Sequence, residues 1–468
     1  MPPTLNIPRI VIAATGSGAG KTTATVALMG ALRARGLKVA PFKCGPDYLD
    51  PTYHQRAAGV RSHNLDGWMM TRDSVLATFS RASAGADIAV IEGMMGLFDS
   101  ATPTGDNGST AEIAKWLDAP VLVVTDASGI ARTISAVAAG FARFDPAVRV
   151  AGIICNRVGS RGHLDLLRAA QPEVPIVGGF PATTALAFPE RHLGLLIADE
   201  SNVPQRLIDG WTHLAAEWLD LDAILSIARS APALRTGDAL HATSSPPRMR
   251  CRIGVAYDDA FHFYYEDNLN RLRELGAELV NFSPCRDRSL PDVDGLMFGG
   301  GYPEALAREL SSNVAMLEAL RAFAARRSPI YAECGGLMYL AEGSKALDGV
   351  TWPMAALVPG IAVMSDRLQA LGYVEVETRA DSIVGPAGTH FRGHQFRYST
   401  LEGGRGEEAA ERIYSVKPRW GGDAFTEGYR MGSVLASYVH AHWASNPDIA
   451  AQLVRSCENS RASRHRPA

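Results

Sequence analysis

Three neighbouring residues near the N-terminus, Gly20-Lys21-Thr22, have the types and order that bind the phosphates of a nucleotide. They match the end of the motif G-x-x-x-x-G-K-[ST], whose first Gly would fall at Thr15. We expect Lys21 to contact the β- and γ-phosphates of ATP and the Thr22 hydroxyl to ligate Mg²⁺. Backbone N–H groups of the loop would surround phosphate oxygens at a helix N-terminus. The predicted nucleotide-binding residues of this segment are Gly16, Gly18, Gly20, Lys21, Thr22 and Thr23. An ordinary glycine-rich turn is the alternative interpretation.

A nucleotide site also needs carboxylates that hold its metal ion. The run Asp87–Glu92 is typical of a buried strand, and Glu92 at its end is the predicted Mg²⁺ ligand. The loop sequence FKCGPDYLDPTYH brings Lys43, Asp47 and Asp50 together. We expect Asp47 to be a second Mg²⁺ ligand and Lys43 to bind an anionic group of the cofactor or substrate. An ordinary acidic strand end would also explain Glu92, and turn chemistry alone would explain both aspartates.

In the second half, Cys334 lies between a predicted strand that ends at Glu333 and two glycines that open a helical pattern. A side chain on such a sharp turn is exposed, and a helix N-terminus favours the thiolate form of a cysteine. We therefore predict that Cys334 is a nucleophile. A lone cysteine is usually a small buried hydrophobic residue, and we accept this alternative for the other five.

A thiolate nucleophile requires a base, and two histidines share one face of the predicted strand MGSVLASYVHAHW. Either His440 or His442 could pair with Cys334 on this evidence. A glycine-rich loop follows the predicted strand GLMF, and the backbone N–H groups of Gly300 and Gly301 are candidates for an oxyanion hole. A tight turn explains the same glycines and is compatible with that role.

The elements that must position these residues are short Val/Ile-rich runs that alternate with helical patterns. This alternation is typical of βαβ units and of a parallel sheet buried on both faces. The strands predicted in the first half are Arg9–Ala14, Lys38–Phe42, Asp87–Glu92, Pro120–Thr125, Val150–Cys155 and Val174–Phe180. The alternation starts again near Arg250, where the predicted strands lie in RCRIGVAY, AELVNF, DGLMFGG and SPIYAE.

A Ser/Pro/Thr-rich stretch that is poor in apolar residues separates the two series of elements. It predicts an exposed linker, so the expected fold class is α/β with two domains. The predicted boundaries are 1–235 for the first domain, 236–249 for the linker, 250–445 for the second domain and 446–468 for a polar tail that frays. The length of 468 residues agrees with two or three domains.

Composition excludes several classes of function. Lys and Arg number 46 against 49 Asp and Glu, a formal net charge of −3, so we expect neither nucleic acid nor an anionic membrane as partner. No apolar run reaches the ~18–20 residues that cross a bilayer, and the N-terminus lacks the basic start of a signal peptide. The six cysteines form neither a disulfide nor a zinc pattern, which fits a reducing cytoplasm.

Eight blocks of the sequence resemble, in order and across nearly the whole chain, the cobyrinate or hydrogenobyrinate a,c-diamide synthases of corrinoid biosynthesis. The blocks are FKCGPDYLDPTYHQRAAGVRSHNLD, VIEGMMGLFDS, ERHLGL, AYDDAFHFYYEDNLNRLRELGAELVNFSP, FGGGYPE, IYAECGGLMYL, RGHQFRYS and SYVHAHW. The resemblance implies an N-terminal ATP-dependent amidoligase domain similar to dethiobiotin synthetase. It also implies a C-terminal domain similar to class I glutamine amidotransferases, and hence a ligase that uses L-glutamine as nitrogen donor.

The resemblance assigns the thiol site more narrowly than the spacing does. It implies Cys334 as the glutaminase nucleophile and His440 as the residue that activates it. Ordinary class I glutaminases have a Glu two residues after this histidine, where the present chain has His442. The third member of the triad is therefore open, and a water molecule or a backbone carbonyl could orient His440.

The implied reaction begins when ATP phosphorylates a substrate carboxylate to an acyl phosphate, while Lys21 and Mg²⁺ stabilise the transferred group. Cys334 forms a thioester with glutamine and releases ammonia, which displaces phosphate. Repetition would convert the a and c acetates of the corrinoid macrocycle to carboxamides. The implied Mg²⁺ ligands are Thr22, Asp47 and Glu92. By analogy, Asn156 at another strand end contacts the adenine edge, although strand-end Asn is also a common turn former.

Other functions stay open at this point. Cobyric acid synthases share both domains but amidate other carboxylates. A partition-type ATPase switch would share the phosphate loop, but it usually has Lys in place of Gly16 and lacks the Cys334 half. A glutamine-dependent nucleotide synthetase has a similar glutaminase block and a different synthetase half. The sequence also leaves open whether the macrocycle contains cobalt and whether the chain forms a homodimer.

Overall fold

A computed structural model describes residues 4–100, 102–183, 190–191, 194–195, 198, 203–235, 248–404 and 410–464. The chain folds into two compact units, Met1–Ala242 and Thr243–Ala468. Both units combine helices and sheets, so the predicted two-domain α/β class is confirmed. Residues 236–247 of the predicted linker and residues 192–193 of the ERHLGL block lie outside the described part of the chain.

The first unit alternates strands and helices. Its strands are β1 (Thr4–Leu5), β2 (Arg9–Ala14), β3 (Val39–Cys44), β4 (His63–Leu65), β5 (Ile88–Glu92), β6 (Val121–Asp126), β7 (Val150–Val158), β8 (Ile176–Pro181), β9 (Glu190–Arg191), β10 (Gly194–Leu195) and β11 (Leu234–Arg235). Its helices are α1 (Lys21–Ala34), α2 (Asp50–Ala58), α3 (Arg72–Ala82), α4 (Thr110–Trp116), α5 (Thr133–Phe144), α6 (Arg161–Ala169), α7 (Gln205–Trp218) and α8 (Leu221–Arg229).

Seven of these strands form one parallel sheet in the order β4-β3-β5-β2-β6-β7-β8. Every residue of β2, β3 and β5 is buried, as expected for parallel strands whose faces are both covered. The strand order reverses around β2, and ligands of open α/β sheets bind beyond the carboxyl ends of strands at such a point. The phosphate loop that follows β2 lies there.

The six strands predicted in this half are all present, with ends shifted by at most three residues, as at Cys155 against Val158. The additional sheet strand β4 is only three residues long, which is too short to give an apolar pattern. One face of the sheet packs on α1, α7 and α8, around the fully buried Trp211.

The second unit contains more strands than the sequence predicts. Its strands are β12 (Cys251–Ala256), β13 (Ala277–Phe282), β14 (Gly295–Phe298), β15 (Ile330–Glu333), β16 (Ala341–Lys345), β17 (Thr351–Pro353), β18 (Val358–Met364), β19 (Ala370–Thr378), β20 (His390–Arg397), β21 (Ser399–Glu402), β22 (Glu411–Pro418), β23 (Phe425–Met431), β24 (Val434–Ser437) and β25 (His440–Ala441). Its helices are α9 (Glu266–Glu274), α10 (Ala307–Ser312), α11 (Val314–Ala325), α12 (Gly335–Leu340) and α13 (Asp448–Arg464).

The main sheet of this unit is mixed, in the order β13-β12-β14-β15-β24-β23-β22-β19-β20-β25. The strands from β13 to β24 pair in parallel, and those from β24 to β25 pair antiparallel. A smaller sheet has the order β17-β16-β18-β21. The predicted strands AELVNF, GLMF and IYAE belong to the parallel part, whereas β16 to β23 are absent from the sequence-based prediction.

The prediction that MGSVLASYVHAHW is a single strand is wrong. β24 pairs with β15, whereas β25 pairs with β20 at the far end of the sheet order. The chain turns between them, where the N–H of Val439 donates to Oγ of Ser437 at 2.9 Å. His440 therefore lies in a strand, and His442 follows after that strand has ended.

The prediction of a fraying polar tail over 446–468 is also wrong, because residues 448–464 of that segment form the helix α13. Ile449, Leu453 and Cys457 recur every four residues and are buried. They give α13 one apolar face, which packs in the same hydrophobic cluster as residues of β12 and α9. The polar residues that dominate this part of the sequence leave the apolar spacing easy to overlook.

We expect Leu453→Ala to lower the free energy of unfolding by about 2–5 kcal/mol, because it removes a side chain that is 1% exposed from a packed core. Urea unfolding followed by circular dichroism measures this loss. Asn459→Ala changes an exposed position of the same helix and should cost less than about 0.5 kcal/mol. Equal costs for the two variants would show that α13 frays.

Candidate active sites

The phosphate loop connects β2 to α1 and has the backbone shape that its glycines permit. Gly18 and Gly20 have φ of 77° and 94°, in the left-handed region that favours glycine. Lys21, Thr22 and Thr23 form the first turn of α1, whose first N–H groups have no partner within the helix. Lys21 is largely buried at that N-terminus. This geometry is that of an anion site at the start of a helix.

The end of β5 lies against this loop. Oε1 of Glu92 accepts hydrogen bonds from the Thr22 hydroxyl at 2.8 Å and from Nζ of Lys43 at 2.9 Å. Nζ of Lys43 also lies 2.5 Å from Oδ2 of Asp50. Oε2 of Glu92 lies 2.6 Å from Nε2 of His54. The structure thus brings Thr22, Lys43 and Glu92 together, as the sequence predicts. It also places His54 in this cluster, a residue that the sequence analysis does not identify.

Electrostatics favour the charged forms of Glu92 and Lys43 although both side chains are buried. Burial alone would raise the pKa of Glu92, but Lys43 and His54 lower it well below its ordinary value. Burial would lower the pKa of Lys43, but Asp50 and Glu92 raise it above its ordinary value. The pKa of Asp50 is raised by burial and by Asp47. Burial, together with the neighbouring Lys43, lowers the pKa of Lys21.

The donor set fits Mg²⁺. This ion usually binds through one or two carboxylates together with substrate phosphates, rather than in an all-protein cage. Glu92 and Thr22 supply a carboxylate and a hydroxyl side by side. Within the described residues, no group of three or more His, Cys, Asp or Glu side chains could hold a metal ion.

Asp47 has a structural partner already. Its Oδ1 accepts the N–H groups of Leu49 and Asp50, at 2.7 and 2.8 Å, in the turn before α2. These two hydrogen bonds are the turn contacts that the sequence analysis gives as the alternative explanation of Asp47. Asp47 lies close enough to Lys43 to help raise its pKa, so it belongs to the same electrostatic cluster. Its role as a Mg²⁺ ligand stays a prediction.

Asn156 holds the phosphate loop. Its Nδ2 donates to the carbonyl of Ala19 at 2.9 Å. Arg157, which the sequence reading missed, donates to the carbonyl of Gly18 at 3.0 Å and pairs with Asp126. Both contacts fix the loop from the end of β7. The expected contact of Asn156 with adenine stays a prediction.

We expect Gly20→Ala to weaken ATP binding by about 10-fold or more, because a left-handed residue with a Cβ costs about 1–2 kcal/mol. The added Cβ would also lie 2.0 Å from Nδ2 of Asn156 and displace it. Gly140→Ala on α5 is the matched control, since a Cβ at this position would have no atom within 4 Å. Calorimetric titration with ATP measures both variants, and an unchanged Kd in Gly20→Ala would contradict a tight loop.

The predicted nucleophile lies on a strained turn in the second unit. Cys334 has φ of 47° and ψ of −102° between β15 and α12, a conformation that is rare for residues other than glycine. Its N–H donates to the carbonyl of Ser437 at 2.7 Å. This strand-to-helix turn is the geometry that presents a nucleophile at the edge of a sheet.

The structure distinguishes the two candidate histidines. The His440 imidazole interacts with the Cys334 thiol, and its Nδ1 lies 3.7 Å from Oε2 of Glu333. Burial alone would lower the pKa of His440, but Cys334 and Glu333 raise it to about 10. His442 is also buried, but its contacts are different. Its Nδ1 accepts the N–H of Ala444 at 3.3 Å, and the centre of its ring lies 4.7 Å from that of the Tyr265 ring.

The glycine loop after β14 approaches this turn. The carbonyl of Gly299 accepts the N–H of Gly336 at 3.0 Å. A Cβ on Gly300 would lie 2.4 Å from Cε1 of His440, and one on Gly335 would lie 3.1 Å from the nitrogen of Gly301. Only glycine fits these positions. The backbone of Gly300 and Gly301 is therefore close to the thiol site, and the oxyanion role of these residues stays a prediction.

Two family models match the units that contain these sites. A "CobQ/CobB/MinD/ParA nucleotide binding domain" covers residues 10–195, and a "CobB/CobQ-like glutamine amidotransferase domain" covers residues 252–448. The protein is thus a glutamine-dependent ligase that uses a nucleotide to form amide bonds. The second domain argues against a partition-type ATPase switch.

Similar curated proteins show which family of glutamine-dependent ligases the chain belongs to. A cobyrinate a,c-diamide synthase of Leptospira interrogans is 52% identical over 453 residues, which are 97% of this chain and 99% of that protein. Proteins of the same name from Syntrophotalea carbinolica and Listeria monocytogenes serotype 4b are 46% and 41% identical, over 97% and 94% of this chain and 99% and 97% of their own. The chain belongs to the cobyrinate a,c-diamide synthase family, and the resemblance of the eight blocks is confirmed.

Proposed function

We propose that this enzyme converts the a and c acetate carboxylates of cobyrinic or hydrogenobyrinic acid to carboxamides, with ATP and glutamine as co-substrates. The observation that carries the proposal is the full-length similarity to relatives of that name, which spans both reaction sites. Both macrocycles are included because they differ in the central metal and share the carboxylates that react. Each carboxylate would require one turnover of both half-reactions.

The first half-reaction activates the carboxylate. A carboxylate is a poor electrophile, so one of its oxygens attacks the γ-phosphorus of ATP, and an acyl phosphate and ADP result. Lys21 and the N–H groups at the start of α1 stabilise the charge that spreads over the phosphoryl oxygens. Mg²⁺ held by Thr22, Glu92 and Asp47 would neutralise charge on the phosphates. Lys43 stays charged through Asp50 and Glu92 and provides a fixed cation beside them.

The second half-reaction supplies ammonia. The sulfur of Cys334 attacks the side-chain amide carbon of glutamine, with the developing oxyanion near Gly300 and Gly301. His440 transfers the proton of the Cys334 thiol to the leaving nitrogen, and cleavage of the C–N bond releases ammonia and leaves the glutamyl group as a thioester on Cys334. Water then hydrolyses the thioester to glutamate and restores the thiol. Ammonia attacks the acyl phosphate, displaces phosphate and forms the carboxamide.

The proposed setting is the cytoplasm. All six cysteines are free, which agrees with a reducing compartment. Within the described residues, no helix has the length and apolar character needed to cross a membrane. A homodimer stays a hypothesis that sedimentation can test.

Separating the half-reactions tests the proposal. We expect Cys334→Ala to lose glutamine-dependent synthesis by about 10³-fold or more and to keep synthesis from high ammonium salt, since free ammonia can still attack the acyl phosphate. His440→Ala should behave similarly, and His442→Ala should be milder because Nδ1 of His442 accepts the N–H of Ala444. Lys21→Ala should lose synthesis from both nitrogen donors. Mass spectrometry of products from each macrocycle measures all four variants.

Three results would contradict the proposed function. They are full activity in Lys21→Ala, loss of ammonium-driven synthesis in a folded Cys334→Ala protein, and amidation of carboxylates other than the a and c acetates. The last result would favour a cobyric acid synthase.

We expect Asp47→Asn to raise the Mg²⁺ concentration needed for half-maximal synthesis by about 10-fold, because it removes a hard anionic oxygen at constant size. The substituted side chain keeps an oxygen that can accept the N–H groups of Leu49 and Asp50, so the turn should survive. Titration with Mg²⁺ at saturating ATP measures the change. An unchanged titration would assign Asp47 to the turn alone.

A further inference from the structure

We propose that Glu333 is the third member of the glutaminase site and positions His440. This inference rests on the proposed glutaminase half-reaction. It replaces the earlier expectation that water or a backbone carbonyl orients the histidine. The residue two positions after the histidine cannot take this role, because it is His442 and its Nδ1 accepts the N–H of Ala444.

The Glu333 carboxylate is buried and held in one orientation. Its Oε1 accepts the Tyr331 hydroxyl at 2.7 Å and the N–H of Ala441 at 3.1 Å. These two donors bind Oε1, and the other oxygen, Oε2, lies 3.7 Å from Nδ1 of His440. Such contacts are often long in ligand-free enzymes and tighten when substrate binds.

An acceptor at Nδ1 determines which tautomer of the histidine forms. When Nδ1 carries its proton toward Glu333, Nε2 is left to exchange a proton with the Cys334 thiol and with the leaving nitrogen. The carboxylate also stabilises the imidazolium that forms. Glu333 is therefore a positioning residue, which acts on glutamine only through His440.

Three titratable groups of the described chain interact with His440. They include Cys334 and Glu333, which have the largest effects on its pKa, and His394, which is paired with His440 across β20 and β25. The pKa of His394 is lowered to about 3 by burial and by His440, so its ring is neutral near pH 7. Glu333 is the carboxylate of this set.

The position of Glu333 links it to the nucleophile. It precedes Cys334 directly at the end of β15, so the same turn that aims the sulfur also aims the carboxylate. The hydrogen bond from the N–H of Ala441 then fixes the histidine strand to this turn. A conventional triad takes its acid from the strand of the histidine, and this chain takes it from the strand of the nucleophile.

The test is Glu333→Gln, which keeps the size and the Oε1 acceptor but offers an NH₂ donor to His440. We expect kcat for glutamine hydrolysis to fall about 100-fold or more, with KM for glutamine changed less than about threefold. Ammonium-driven synthesis should stay within about twofold of wild type. Glu333→Asp, which restores the charge at a shorter reach, should recover about 10-fold in kcat over Glu333→Gln.

Two further measurements separate positioning from a structural role. The first is alkylation of Cys334 by iodoacetamide between about pH 5 and 9, measured by mass spectrometry. In Glu333→Gln, Cys334 should lose its reactivity at low pH, because the His440 imidazolium is less stabilised. Tyr331→Phe removes one donor to Oε1 and should lower kcat about 3- to 10-fold. Glu427→Gln is the matched control, a buried carboxylate that accepts from Ser437 and Tyr438 instead, and it should change kcat less than about threefold.

A kcat and an alkylation profile like wild type in folded Glu333→Gln would overturn the inference. Equal losses of glutamine-driven and ammonium-driven synthesis would also overturn it, because they indicate general damage. If Glu333→Gln does not fold, an unchanged kcat in Tyr331→Phe has the same consequence. Glutamine hydrolysis by wild type with no amidation of either macrocycle would instead refute the proposed substrate and leave Glu333 testable.

Discussion

A buried carboxylate that must stay charged determines how the nucleotide half is built. Glu92 has no exposed surface, and an ion so far from water persists only when partners replace its hydration. Lys43, His54 and Thr22 supply these partners from β3, α2 and α1. Loss of one partner of a buried ion pair typically costs about 3–5 kcal/mol. Helix α1, strand β3 and helix α2 must therefore converge on the end of β5 for the Glu92 carboxylate to stay charged.

Both units place their candidate reactive groups in a connection from a strand to a helix, with a residue of positive φ directly before the helix. In the first unit that residue is Gly20, and its lack of a side chain would let phosphate approach the backbone in the proposed reaction. In the second unit it is Cys334, the proposed nucleophile, whose side chain makes the positive φ a strained conformation. The following Gly336 relieves the crowding, since a Cβ there would lie 2.7 Å from Cβ of Phe298.

Local patterns made the strands of the parallel sheets and the two reactive turns predictable, because glycines, apolar runs and the Lys and Cys side chains are adjacent in sequence. The remaining site residues act over long separations. Glu333 contacts the strand of His440 at a sequence separation of 108 residues, and His54 contacts Glu92 at a separation of 38 residues. The local sequence around Glu333 or His54 therefore does not indicate its partner. The antiparallel strands lack the continuous apolar runs of buried strands, as the alternating burial of β20 shows.

Opposite charge requirements limit the pH range in which both sites keep their working states. Burial opposes the charge of Glu92 but Lys43 and His54 lower its pKa, so its stabilising contribution is present above the ordinary 4.5 and is lost in acid. His440 has its pKa raised to about 10 by Cys334 and Glu333 against the effect of burial. Its contribution is complete below the ordinary 6.5 and is lost as pH rises through about 10. Acid therefore weakens the first site and alkali the second. Near neutral pH both charge pairs persist, as the proposed coupling of the two half-reactions requires.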